Sequence, residues 1–208
     1  MLRDVDALKA FLDDVFACSP LPVSIKTRIG FDSVEEWPAL MNVFRLYPIH
    51  ELIIHTRTRS EYYRGETHPD AFAAAQQALA CPLCYNGDLF TAQDCRDMQS
   101  AFPQAALMIG RGAVSNPALA QEATGGPACD IAQLRRFHDT LISLYRTRYA
   151  PAVVLGRMRD VMKMIALSFS DHKKPLKALC KARTEEAYLS AVEQLFDTCT
   201  LHHERPEF

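Results

Sequence analysis

In ELIIHTRTRSEYYRG, residues 51–65, the apolar run Leu52, Ile53, Ile54 leads straight into His55, and Arg57, Arg59 and Arg64 follow. A run of that length and content reads as a strand buried on both faces. Its end therefore delivers an imidazole and guanidinium groups to one rim of a core. Three other apolar runs close in the same manner. VSIKTRI from Val23 ends in Lys26, Thr27, Arg28 and Gly30; PLCYN from Pro82 ends in Asn86, Gly87 and Asp88; AALMIG from Ala105 ends in Gly110, Arg111 and Gly112. Cations such as Lys26 and Arg57, with bare glycine backbone nearby, suit an anionic or electron-rich ring. Each feature alone has an ordinary reading: Lys26 as a rim residue, His55 as a core histidine bonded to a backbone carbonyl, Asn-Gly-Asp as a turn. Four polar strand ends in chain order are harder to dismiss.

The elements that must position these groups alternate. Ser33 with Glu36 makes a capping box opening SVEEWPALMNVF. PDAFAAAQQALA from Pro69 is built of good helix formers. Thr91 caps TAQDCRDMQSAF, and Asn116 with Pro117 starts a short helix. Strands alternating with helices indicate βαβ units and a parallel sheet. In such sheets functional groups gather at the carboxyl ends of the strands. Gly-Arg-Gly before AVSNPALA, and Asn-Gly-Asp, both offer unobstructed N–H groups, as in the phosphate site after strands 7 and 8 of a TIM barrel.

Gly125-Gly126-Pro127 ends the alternation and marks a boundary. Beyond it the signals are helical: Asp130 to about Arg148, Pro151 to about Phe169, then shorter helices near Pro175 and from Thr184. Val154, Met158, Val161, Met162 and Ile165 form the apolar stripe of a bundle helix. The predicted fold class is α/β: a (β/α)4 half of a TIM barrel over residues 1–124, followed by an α-helical bundle over 128–208.

The chain carries 23 Lys and Arg against 25 Asp and Glu. Between Arg135 and Arg183 the balance is 12 to 3, a local +9, which leaves −11 for the rest of a chain whose net charge is −2. Segregated positive charge suits a polyanion. Arg157, Arg159 and Lys163 fall in this stretch, with Arg159 and Lys163 one helical turn apart. No apolar run is long enough to span a membrane, and MLRDVDALKAFLDDVF is an amphipathic charged stretch, unlike a signal peptide. Seven cysteines without framework spacing suit a reducing cytoplasm. Cys81-Pro-Leu-Cys84 lacks the second pair that a structural zinc site needs, so no metal is expected.

The motifs VSIKTRIG, HTRTRSEYYRGETHPDAF, CYNGDLFTAQD and LMIGRGAVSNPAL, in that order, resemble the second half of a tRNA-dihydrouridine synthase from about Pro22 to Leu119, and more loosely through the helical tail. The resemblance implies a flavin-binding TIM barrel with a C-terminal helical domain that grips tRNA. It also implies reduction of selected uridines to dihydrouridine by FMN, recharged by NADPH. By resemblance, Lys26 sits near the flavin ring and His55 beside the flavin and the target base. Asn86, Gly87, Asp88, Gly110 and Arg111 match positions holding the ribityl-phosphate portion. Arg28, Arg57 and Arg59 line the rim facing cofactor and RNA.

A full barrel has eight strands and about 250 residues, whereas four strands are read here. The start of the chain corresponds to the helix before the fifth strand of the family barrel. The family's Asn-x-Gly-Cys-Pro motif, whose cysteine donates the proton, has no counterpart among these residues. A half-barrel with two sheet edges is expected to self-associate, to bind FMN poorly without a completing partner, and to be inactive alone. Two other readings stand beside this one: a flavin barrel oxidoreductase of the dihydroorotate dehydrogenase type acting on a free small molecule, and a non-catalytic RNA-binding remnant. The basic tail and the HTRTR segment favour the tRNA enzyme.

Overall fold

The computed structural model describes residues 1–202 and 204. Its contacts divide the chain into two compact units: residues 1–88 with 96–108, and residues 89–95 with everything from 109 on.

The first unit holds the sheet. Helix α1 (Val5–Cys18) is capped by Asp4, whose carboxylate accepts from the Ala7 N–H at 2.9 Å, and it buries Leu8 and Leu12 one turn apart. Strand β1 (Ser24–Arg28) runs into the expected capping box. There the Glu36 carboxylate accepts from the N–H groups of Phe31, Asp32 and Ser33 at 2.6, 3.1 and 3.1 Å, and these bonds hold it below the usual carboxylate range. The box opens one 3-10 turn and then α2 (Trp37–Phe44). Next come β2 (Glu51–His55), α3 (Pro69–Ala78), β3 (Leu83–Asn86), α4 (Ala92–Ala101) and β4 (Ala106–Met108).

The four strands pair in parallel in the order β1-β2-β3-β4. Chain order without reversal is what successive βα units of a barrel produce, whereas a doubly wound sheet reverses at a switch point. The architecture is a partial TIM barrel. Register then determines which side chains share a face. Arg28, His55, Asn86 and Met108 are aligned across the carboxyl ends, and Lys26, Ile53, Cys84 and Ala106 form the row beneath them. The opposite face carries Thr27, Ile54 and Tyr85, all buried. On that side Tyr85, Phe72 and Phe102 make a three-ring cluster with centroids 4.9–6.0 Å apart.

The second unit is helical: α5 (Arg111–Ser115), α6 (Leu119–Ala123), α7 (Ile131–Arg146), α8 (Pro151–Ile165), α9 (Lys173–Lys181) and α10 (Glu185–Thr198). Of the apolar stripe expected on α8, Val154, Met158, Met162 and Ile165 are buried and Val161 is half-buried. They pack with Leu134, Ile142, Leu179, Tyr188, Val192 and Leu195. Asp130 and Gln133 cap α7 reciprocally. Before it, the Glu122 carboxylate is buried and accepts from Asn116 Nδ2 at 2.9 Å and the Cys129 N–H at 2.7 Å, closing the loop that contains Gly125-Gly126-Pro127. Among the described residues no helix is long and apolar enough to cross a membrane, and no three His, Cys, Asp or Glu side chains group to hold a metal.

Candidate functional site

The site begins at the carboxyl ends of β1, β2 and β3. Lys26 reaches forward along its face, and its ammonium donates to Asn86 Oδ1 at 2.7 Å; Asn86 Nδ2 in turn donates to the Met108 carbonyl at 2.7 Å. This chain of bonds crosses from β1 to β4 and fixes the orientation of the Asn86 amide. Between its two ends stands His55, only 6% exposed. Its ring makes no hydrogen bond among the described residues. Its nearest aromatic neighbour is Tyr63, with ring centroids 5.9 Å apart. Burial, and then the charges of Arg28, Lys26 and Arg57, pull its pKa down to about 4. At neutral pH the imidazole is therefore uncharged, with one N–H and one lone pair to offer. A core histidine bonded to a carbonyl is not what the structure contains here.

The arginines fall into two groups. Arg57 is 1% exposed: its terminal nitrogens donate to both Asp88 carboxylate oxygens at 2.7 and 2.6 Å and to the Gly65 carbonyl at 2.5 Å. This bidentate pairing keeps the guanidinium above its ordinary pKa. Its Nε is buried and unpartnered. Arg28 donates to the Thr58 and Tyr62 carbonyls at 2.6 and 2.8 Å, so it fastens the loop after β2 to β1. Arg59 is exposed and lies 4.1 Å over the Tyr62 ring. Thus Arg28 and Arg57 are turned to protein groups, and Arg59 faces solvent.

That loop is built firmly. Thr58 and Glu61 cap each other: Glu61 Oε2 accepts from the Thr58 N–H at 2.6 Å, while Thr58 Oγ1 accepts from the Glu61 N–H at 3.3 Å. Glu61 Oε1 also meets His68 Nε2 at 2.8 Å. The Thr-x-x-Glu spacing was a readable signal for this box. Tyr62 is held at φ +52° with its ring 54% exposed, a conformation that costs a bulky residue about 1–2 kcal/mol. After β3, Gly87 (φ +156°) and Asp88 (φ +45°) form the turn that brings the carboxylate to Arg57. A Cβ on Gly87 would lie 2.9 Å from Thr56 Oγ1 and from Thr67 Cγ2, so only glycine fits.

Gly110 and Arg111 belong to the second unit. Gly110 is exposed, and a Cβ there would meet nothing within 4 Å, so packing does not require the glycine. Gly112 differs: its Cβ would lie 2.0 Å from the Leu89 carbonyl oxygen, which makes it a close-packing glycine. Arg111 lies 5.0 Å over the Phe90 ring. On α8, Arg159 donates to the Leu155 and Ala182 carbonyls at 3.2 and 3.5 Å, and Lys163 pairs with Asp160 at 2.7 Å. Arg157 is exposed and lies over the Tyr149 ring.

The first unit thus brings Lys26, His55, Asn86, Gly87, Asp88, Arg28 and Arg57 together at one end of a parallel sheet. Residues 1–196 match the family model described as dihydrouridine synthase (Dus). The chain is 26% identical over 179 residues to a tRNA-dihydrouridine(16) synthase of Pseudomonas putida, covering 82% of this chain and 55% of that protein. It is 32% identical over 118 residues to tRNA-dihydrouridine synthase B of Pasteurella multocida, covering 56% and 36%. It is 27% identical over 208 residues to tRNA-dihydrouridine synthase B of Xanthomonas campestris pv. campestris, covering 95% and 62%. The chain spans about half the length of the curated relatives it matches.

Proposed function

Because the chain belongs to the dihydrouridine synthase family, we propose that it contributes to reduction of uridine to 5,6-dihydrouridine in tRNA and that its strand-end cluster is part of a flavin site. The observation that carries this reading is His55: a buried imidazole without a hydrogen bond, kept neutral among Lys26, Arg28 and Arg57. An imidazole with no protein partner has both ring nitrogens left to bond a ligand. Arg57 Nε is a buried polar atom without a partner, a state that is costly in a fold and that a ligand can relieve.

The residues fit FMN, whose phosphate is anionic and whose ring gains negative charge on reduction. Lys26 would stand against that ring charge, and the Asn86-Gly87-Asp88 turn would approach the ribityl end. FMN, when bound, supplies the hydride, with NADPH as its reductant. The protein's own contribution is orientation and charge. Lys26 fixes Asn86 and adds a positive charge; His55, neutral in the free chain, orients the uracil through a hydrogen bond. Arg57 and Arg28 position the turn and loop that frame the site. A uracil within folded tRNA must leave its stack to reach such a pocket. The sequence holds no Asn-x-Gly-Cys-Pro segment, so the proton delivered to C5 is assigned to none of these residues. The division into a barrel portion, residues 1–124, and an RNA-binding helical domain, residues 128–208, is part of the proposal, with Arg59, Arg157, Arg159 and Lys163 on the RNA side.

Two measurements test it. Dihydrouridine in tRNA from cells lacking the gene is expected to fall; an unchanged content overturns the activity. The purified 208-residue chain titrated with FMN is expected to bind weakly, and more weakly still as Lys26→Ala. A stoichiometric yellow complex of the chain alone would refute the view that the site is incomplete here.

A further inference from the structure

The turn between α7 and α8 carries an aromatic and cationic cluster that the flavin reading does not use. Tyr145 and Tyr149 meet edge to face, 5.8 Å between centroids at 76°. The backbone holds them there, since the N–H groups of Arg148 and Tyr149 both donate to the Tyr145 carbonyl, at 3.0 and 2.9 Å. Pro151 then starts α8 and ends the freedom of the connection. One and a half turns on, Arg157 lays its guanidinium 4.3 Å from the Tyr149 centroid and 5.7 Å from that of Tyr145.

Three properties of this cluster are unusual for a solvated helix end. Tyr149 is 39% exposed although its ring meets Tyr145 and Arg157, and Leu144 and Val153 on the flanking helices are 56% and 45% exposed. Arg146 ends α7, Arg148 lies in the turn and Arg157 is on α8. Glu185 pairs with Arg146, whereas Arg148 and Arg157 make no ion pair among the described residues. The turn therefore presents a rigid π-face, apolar edges and uncompensated positive charge.

We propose that Tyr149, backed by Arg157, is a stacking platform for an unpaired nucleobase of RNA, with Arg148 against the adjoining phosphate. Every base has a π-face, and an aromatic ring interleaved with arginines binds single-stranded segments without reading their sequence. The guanidinium over one face of Tyr149 holds the ring by a cation–π contact. Charge complementarity selects the occupant: an acidic peptide would match the arginines but not the flat exposed ring, and a duplex would keep its bases stacked inside. This inference rests on the reading that the chain acts on tRNA, and it assigns the unpaired nucleotides of that RNA to one place.

Tyr149→Trp in the full chain makes the platform report on itself, because the chain's other tryptophan, Trp37, is buried in the first unit. Its added fluorescence should be quenched by a single-stranded 12-mer of uridylate, and neither by inorganic polyphosphate nor by a 12-base-pair RNA duplex. Tyr149→Ala should bind tRNA on the order of tenfold more weakly, while Tyr149→Phe stays within threefold of the unaltered chain; matching circular dichroism and melting curves show that each variant folds. Absence of quenching by the 12-mer, or equal quenching by polyphosphate, overturns the platform. Unaltered tRNA affinity in Tyr149→Ala does so as well, and leaves the tRNA reading standing. Quenching by the 12-mer in a chain with no affinity for tRNA has the reverse meaning: the platform holds and the tRNA reading fails.

Discussion

His55 and His138 are both buried, one in each unit, and their surroundings are opposite. His138 is fully buried on α7 with both ring nitrogens engaged: Nδ1 meets Asp139 Oδ1 at 2.8 Å and Nε2 meets the Tyr188 hydroxyl at 2.9 Å. His55 has no such partner and is ringed by cations. His138 is a satisfied strut within a core. His55 is a polar group kept available at the end of a strand. Burial alone does not separate a committed histidine from an available one; the state of their hydrogen bonds does.

The largest effect that can be set against this comparison comes from Arg57. Arg57→Ala removes the bidentate partner of Asp88 and the bond to the Gly65 carbonyl. It should cost about 3–5 kcal/mol in urea unfolding of the first unit, as breaking a buried pair does. A cost under about 1 kcal/mol would show that the guanidinium is a surface group after all.

His138→Leu should follow, at roughly 2–3 kcal/mol in the same measurement, because the buried Tyr188 hydroxyl loses its partner. His55→Leu removes a group with no bond to lose and should cost less than about 1 kcal/mol, while weakening FMN binding. If the two histidine substitutions were equally destabilising, the distinction between strut and available group would fail.

A further test concerns pH. The folded pKa of His55 lies below its unfolded value of 6.5, so between pH 6.5 and about 4 the unfolded chain binds more protons. Its contribution to stability is fully present above pH 6.5 and is lost as pH falls toward 4, by roughly 2–3 kcal/mol. Burial lowers the pKa of His138 too, with the same sign. His55→Gln should therefore reduce the slope of stability against pH in this window without abolishing it. An unchanged slope would mean that His55 is solvated in the folded state.

Much of this was legible in the sequence. The apolar runs ending in Lys26, His55, Asn86 and Gly110 announced parallel strands with polar termini, because the alternation of short apolar runs with capped helices admits few other folds. The Ser33/Glu36 cap was local and therefore readable; Asp130 was readable as a helix start, but its reciprocal partner Gln133 and the Thr58/Glu61 cap of the same spacing emerge only from the structure. The separate fates of the arginines were not legible. Arg57 and Arg59 are two residues apart in one motif, yet Arg57 is enclosed by Asp88 and Gly65 while Arg59 is exposed. Nor could Gly110 and Gly112 be told apart, since only the Leu89 carbonyl reveals that Gly112 is a packing requirement.

The sequence by itself determined the order and type of the elements and the charge segregation toward the helical tail, because periodicity, caps and composition act over a few residues at a time; the family follows instead from the match of whole motifs. Tertiary structure alone decided which polar groups are spent and which remain available. That choice depends on partners some 30–60 residues away, as in Arg57 with Asp88 and Lys26 with Asn86. Only the register of the sheet brings those atoms within hydrogen-bonding distance.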